Sequence, residues 1–278
     1  MRFLFVSNYY DDVPCGGRNL ARAHWQALNQ VCGNEGTLLS TLSEHHTRHD
    51  EPGKISVVCA RNKLQKLMNP IRGRIQGFSF VCFDDKICGS AVKALKQKAP
   101  GLKIYTFYHS VHYEELAARY SDVNIVLNEA ERKKFEKTYS RECRVMPICL
   151  ADTANLPQCQ QGHSHNFRIL FVGGGKHIPN VEGVRWFAQE VMHLVDKRAE
   201  FCVVGPIFSG GGMMTKTAEA LMWGTNYLAT GHALTGYEGV EESRCGTAQE
   251  FADKINAMIA TRPAKYNPKM LEEVKDNA

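Results

Sequence analysis

No stretch of the sequence approaches the roughly 18 to 20 consecutive apolar residues that a membrane-spanning helix requires. The opening MRFLFVSNYYDD holds one short apolar run, Phe3 to Val6, with no small-residue cleavage site behind it. It reads as a first strand rather than a signal peptide, which makes a cytoplasmic location the expectation. No Cys-x-x-Cys pair occurs among the 10 cysteines; the closest pairs are Cys82/Cys88 and Cys143/Cys149. In a long chain read as intracellular, that argues for reduced, mostly buried thiols rather than a disulfide framework. Asp-x-Asp is absent, and no His/Cys group has metal-ligand spacing, so no metal is expected. His45, His46 and His49 read as a solvated loop. A strong charge imbalance is missing too. A net charge of +5 is compatible with an anionic substrate or membrane surface and too weak to argue for nucleic acid.

What is present is the composition of a globular protein, 44% hydrophobic and 23% charged, at a length that accommodates two domains. Short apolar runs at Phe3–Val6, Ile55–Cys59, Phe78–Phe83, Ile104–Phe107, Asn124–Leu127 and Val145–Pro147 alternate with helical patterns. Leu20, His24, Ala27, Leu28 and Val31 share one helical face, as do Ala91, Leu95 and Ala99; Ala130, Lys134 and Lys137 form the wet side of a third helix. Such alternation predicts a parallel sheet covered on both faces. The polar, aperiodic stretch Ala151 to Asn166 reads as a linker, giving domains over 1–155 and 156–278. The pattern then restarts: strand Arg168–Val172, helix Val181–Val195 with Val184, Phe187, Ala188, Val191 and Val195 inward, strand Phe201–Val204, helix Met213–Met222, strand Tyr227–Thr230 and helix Thr247–Ile259. The fold class predicted is α/β, two doubly wound halves with ligands at the carboxyl ends of the strands and a cleft between the halves.

Three glycine-rich turns follow strands: Gly16-Gly17, Gly173-Gly174-Gly175-Lys176 and Gly210-Gly211-Gly212. Glycine lets backbone N–H groups approach an anion, and a helix start carries about half a positive charge, so each turn suits phosphate. A tight strand-to-helix turn is the plain alternative. Two specific motifs fail by spacing. Counting G-x-G-x-x-G from Gly173 reaches Ile178, and a P-loop ending at Gly175-Lys176 would need glycine where Leu170 stands and Ser or Thr where His177 stands.

The stretch from Pro206 through Gly210-Gly211-Gly212-Met213-Met214-Thr215-Lys216-Thr217-Ala218-Glu219 to Gly224 closely resembles the donor-binding segment of group 1 bacterial glycosyltransferases, above all those of capsule and surface polysaccharide clusters. The continuations Tyr227–Thr230 and Ala233–Glu238, the segment Phe171–Asn180 with Trp186-Phe187, and in the first half Phe107–Ser110, Leu127–Arg132 and Val145–Pro147 resemble the same family. The resemblance implies a GT-B fold of two Rossmann-like domains, an acceptor-side half and a nucleotide-sugar half. It implies a retaining transfer from a nucleotide-sugar donor to a glycan or polyprenyl-linked acceptor, with the nucleotide sugar as co-substrate and no other cofactor. Glu219 would then accept hydrogen bonds from the ribose hydroxyls. The amides of Gly211, Gly212, Met213 and Met214, with Thr215 and Lys216, would meet the diphosphate, as would Gly173, Gly174, Gly175 and above all Lys176. His109 would face the donor sugar, and Gly16, Gly17 and Arg18 would lie on the phosphate or acceptor side.

Two departures from the family stand out. Its Glu-x7-Glu pair is incomplete, since the first position falls on Gly211, and little chain separates Val204-Gly205 from Pro206 or His109 from Ser121. Two other readings therefore stay beside the transferase: an abbreviated, non-catalytic GT-B nucleotide binder, or a nucleotide-sugar epimerase. Glu114 and Glu115 read as a solvated helix face, either being able to meet the acceptor. The basic stretch Arg61, Lys63, Lys66, Arg72 and Arg74, interleaved with Leu64, Leu67, Met68 and Ile71, is either an ordinary amphipathic helix or a peripheral membrane contact.

Overall fold

A computed structural model describes residues 1–10, 16–42, 53–58, 75–84, 89–111, 115–148, 167–173, 178–204, 215–222, 225–237 and 239–261. The chain forms two compact units, Met1–Cys149 and Leu150–Ala278. The expected linker, the His45–His49 loop, Glu114 and the basic stretch 61–74 lie outside the described residues.

The first unit is built on strands β1 (Phe3–Ser7), β2 (Gly36–Leu42), β3 (Lys54–Val58), β4 (Phe80–Asp84), β5 (Lys103–Tyr108), β6 (Val123–Val126) and β7 (Arg144–Val145). All pair in parallel, in the order β3-β2-β1-β4-β5-β6-β7. Helices α1 (Gly16–Cys32), α2 (Gly89–Lys98), α3 (Glu115–Tyr120) and α4 (Glu129–Tyr139) lie between strands. Because side chains alternate along a strand, the sheet has two apolar faces. Phe3, Phe5, Leu38, Cys82 and Phe107 pack on one face with Trp25, Leu28 and Cys32 of α1. Leu4, Val6, Leu39, Val81, Phe83, Ile104 and Tyr108 pack on the other with Ala91, Leu95, Ala117 and Phe135 of α2, α3 and α4. Strands covered twice read as continuous apolar runs, which is why the sequence showed most of them.

Several elements differ from expectation. Strand β2 was not anticipated, because GTLLSTL mixes small polar residues into its apolar ones. On α1 the inward line runs Leu20, His24, Leu28 and Cys32, with Leu28 half-buried, while Ala27 is exposed and Val31 is 85% exposed. A spacing of four lags the helical period slightly and carries the line away from Val31. Ala91 and Leu95 are buried, and Ala130, Lys134 and Lys137 are exposed, as expected. Gly36 begins β2 where a Cβ would lie 2.6 Å from the Phe3 ring and 2.7 Å from Trp25. The strand can start there only without a side chain. Gly36→Val is therefore expected to cost about 1–3 kcal/mol through overpacking, read as a lowered urea midpoint at unchanged slope.

The second unit has a parallel pair, β8 (Phe167–Val172) and β9 (Ala199–Val204), with helices α5 (Ile178–Trp186), α6 (Thr215–Met222) and α7 (Ala248–Thr261). Its main core joins Val191, Val195, Cys245, Phe251, Ala252, Ile255 and Ile259. The expected single helix Val181–Val195 is instead α5, a π-helical stretch Phe187–Val191 and a 3-10 turn Met192–Leu194. The wider π turn shifts the phase, leaving Ala188 exposed while Val191 and Val195 stay buried. The expected strand Tyr227–Thr230 is reduced to one bridge, Ala229 to Arg244. No helix among the described residues is long and apolar enough to cross a membrane.

Among the described cysteines, Cys32, Cys82, Cys143, Cys202 and Cys245 are free thiols. Burial pushes the Cys143 thiol up to about 11 and raises Cys82 further still. Neither has the thiolate character that reactivity needs.

Candidate functional site

In a doubly wound sheet the strand order reverses at one point, and the carboxyl ends of the two strands flanking it form a crevice. Here that point lies between β1 and β4, where Ser7 and Asp84 stand opposite each other in register. Asp84 is fully buried. Its Oδ2 accepts a hydrogen bond from Ser7 Oγ at 3.0 Å. Its Oδ1 lies 3.1 Å from His24 Nδ1 and 3.1 Å from His109 Nε2. His24 comes from α1 and His109 from the residue after β5, so a helix and three neighbouring strands converge on one carboxylate. Burial alone would raise Asp84; His109 facing it, and then the hydrogen bond from His24, outweigh it and hold the carboxyl well below its usual range.

The ring of Tyr9 stacks on His109 with centroids 5.4 Å apart and planes 18° from parallel. Gly17, at the start of α1, lies behind Tyr9: a Cβ there would sit 3.0 Å from the ring. Two residues singled out from the sequence, Gly17 and His109, are thus brought together with an aromatic ring between them. Gly16 and Arg18 flank Gly17 in the first turn of α1. The His109 ring is only 7% exposed. The loop beyond it is tied down where Val111 N–H donates to Glu131 of α4 at 2.7 Å. Glu115 opens α3 on an exposed face.

The second unit gathers another set. Gly173 follows β8, and a Cβ on it would lie 2.7 Å from the Phe171 ring, 2.9 Å from Lys216 Nζ and 3.0 Å from Asn180 Nδ2. Lys216 Nζ donates to Asn180 Oδ1 at 2.7 Å and stands 4.9 Å from the Phe171 ring centroid. Residues 43 positions apart in sequence, Gly173 and Lys216, therefore share one spot at the carboxyl end of β8. Lys216 is exposed as a residue, yet its ammonium head meets Asn180, the Phe171 ring and Gly173. Desolvation of that head lowers it from the usual lysine range, with Glu219 opposing. Lys216 and Glu219 are three apart on α6, hence on one face. Thr215 is the first residue of that helix. Gly174, Gly175, Lys176, Gly211, Gly212, Met213 and Met214 lie outside the described residues.

A cation in the first turn of a helix opposes the helix dipole by about 0.3–1 kcal/mol unless an anion accompanies it. Lys216 stands there, its head over an aromatic ring and against a side-chain-free backbone. An anion placed beside Gly173 would meet both positive ends, and the glycine leaves its backbone open to approach.

Sequence reasoning missed Asp84 and the partnership of His24 with His109. The three side chains offer ligand-type atoms within 4.8 Å of one another, yet they are far apart along the chain. Strand order joins them, and no local motif signals it.

No protein-family model matches the chain, and no curated protein matches it. Among solved structures, it is similar to Anabaena Alr3699/HepE, crystallised in complex with UDP, at 12% identity and a TM-score of 0.59 over 100% of this chain and 99% of that one. It is also similar to the apo form of the lipopolysaccharide outer core galactosyltransferase WaaB, at 9% identity and a TM-score of 0.55 over 99% of this chain and 98% of that one. The chain has the α/β fold of the GT-B glycosyltransferases.

Proposed function

We propose that the chain is a glycosyltransferase that moves a sugar, with retention, from a nucleotide-sugar donor to a glycan or lipid-linked acceptor in surface polysaccharide synthesis. The observation that carries this reading is the approach of the Lys216 ammonium to Gly173 at the start of α6, with Glu219 on the same helix face. Sugar transfer needs stabilisation of a departing nucleoside diphosphate. In the proposed site that charge is met by Lys216, by Lys176 and by the amides around Gly173 and Gly211–Met214, rather than by a metal. Glu219, an acceptor-only carboxylate, takes the ribose hydroxyls. The neighbouring structure with UDP and the neighbouring galactosyltransferase support a nucleotide-sugar donor. In the first unit, Gly16, Gly17 and Arg18 serve the phosphate or acceptor side and His109 the sugar.

Gly173→Ala is expected to weaken nucleotide affinity roughly tenfold, because its methyl group displaces the Lys216 head; one such factor is about 1.4 kcal/mol. Isothermal titration with UDP and other nucleoside diphosphates measures it. The function itself is tested by incubating the full chain with a panel of nucleotide sugars and following nucleotide release, the product's anomeric configuration and epimer formation. Release of one nucleotide with a retained linkage supports the transferase. Conversion of the donor's own sugar without release makes it an epimerase, and stabilisation without turnover makes it a binding protein.

A further inference from the structure

The cluster His24–Asp84–His109 has more hydrogen-bond information than its distances alone convey. Ser7 Oγ accepts backbone N–H groups from Tyr9 at 3.1 Å and Tyr10 at 3.2 Å. Its single proton is therefore the one given to Asp84 Oδ2. Asp84 acts as acceptor through both oxygens, and the two ring nitrogens facing Oδ1 must each carry a hydrogen. On His24 that nitrogen is Nδ1; on His109 it is Nε2. The other nitrogen of His24, Nε2, is buried and has no hydrogen-bond partner among the described residues. A second N–H there would make the ring a buried cation with an unmet donor, and an unmet buried group costs more when it is charged. His24 is thus best accommodated neutral, as the Nδ1–H form, which is the minor tautomer of a free imidazole.

We propose that Asp84 is a positioning residue for His109, fixing its ring as the Nε2–H tautomer, with His24 as a neutral Nδ1–H buttress on the far side of the carboxylate. Stacking on Tyr9 sets the plane of the His109 ring, and Asp84 decides which nitrogen carries the hydrogen. A ring held this way keeps one defined nitrogen for Asp84 and presents the opposite edge in one chemical form. The consequence for catalysis rests on the sugar-transfer reading; the tautomers do not.

The direct test is a long-range 1H–15N correlation spectrum of the 15N-histidine-labelled full chain at pH 8, with His24→Gln and His109→Gln spectra for assignment. The expected result is His24 protonated at Nδ1 and His109 protonated at Nε2. His24 as Nε2–H, or His109 as Nδ1–H, overturns the proposal. So do ring hydrogens that appear at these positions only after a chelator is added, because an ion would then bridge the three side chains. Asp84→Asn presents an amide donor and is expected to change the protonated nitrogen of one ring. It should also lower kcat roughly ten- to hundredfold, the range known for loss of the carboxylate that orients a metal-bound histidine, with nucleotide affinity unchanged. Changed tautomers with unchanged kcat overturn the positioning role. The wild-type spectrum decides the tautomers even where Asp84→Asn does not fold. If the wild type transfers no sugar, the transfer reading fails and the spectrum still decides the tautomers.

Discussion

Replacing Asp84 by leucine is expected to destabilise the first unit by about 3–5 kcal/mol, because buried donors left without an acceptor cost about 1–3 kcal/mol each. The substitution strips the acceptor from His24, His109 and Ser7 together. Two imidazoles would stay buried, at 3% and 7% exposure, with ring hydrogens facing a hydrocarbon side chain. The loss should carry a pH signature. Asp84 titrates below its ordinary range when folded. In acid the unfolded chain therefore binds a proton that the folded chain does not. The stabilisation is present above the usual carboxylate value of about 3.9 and drains away as pH falls through it toward the depressed folded value. Chemical unfolding of wild type and Asp84→Leu between pH 7 and pH 3 measures this. The gap between the two curves should be constant down to about pH 4 and begin to narrow below it. A gap still unchanged at pH 3 would mean that the lost stability is packing rather than charge.

Lys216→Ala is expected to weaken binding of a nucleoside diphosphate by about ten- to a hundredfold, the worth of one charge-assisted hydrogen bond to an anion, roughly 1.5–3 kcal/mol. Glu219→Ala should do the same through the ribose. The fold should survive both changes. Lys216 is exposed and Glu219 is half-buried, and neither belongs to the apolar cores. The thermal midpoint without ligand should then stay near the wild-type value while the shift produced by ligand falls. The two substitutions should also differ in what they spare. Lys216→Ala should leave binding of the bare nucleoside intact, whereas Glu219→Ala should weaken nucleoside and nucleoside diphosphate alike. Equal losses in the two assays for both variants would disconnect Lys216 from the phosphates.

Strands β1 and β4 were legible because they are buried on both faces and read as apolar runs. Gly36–Leu42 escaped because its serine and threonines break the run, although its register with Phe3 is as regular as that of β4. In the second unit, the inward positions of Val181–Val195 were misread at Ala188 because a π turn cannot be seen in a 3.6-residue period. The candidate phosphate residues were legible from glycine and helix starts. That Gly173 meets Lys216 was not, since each belongs to a different turn and only the fold brings the Lys216 head to Gly173. Asp84 drew no notice as the last residue of an apolar strand. Its importance comes from strand order, which sets β4 between β1 and β5 and so lays a carboxylate between two histidines.

Calorimetric titration of the full chain with uridine, UMP and UDP, repeated with the guanosine and adenosine series, tests the diphosphate site most directly. The account predicts that one series binds and that affinity climbs at least tenfold from nucleoside to nucleoside diphosphate. Equal affinity along every series, or no binding in any, would contradict it.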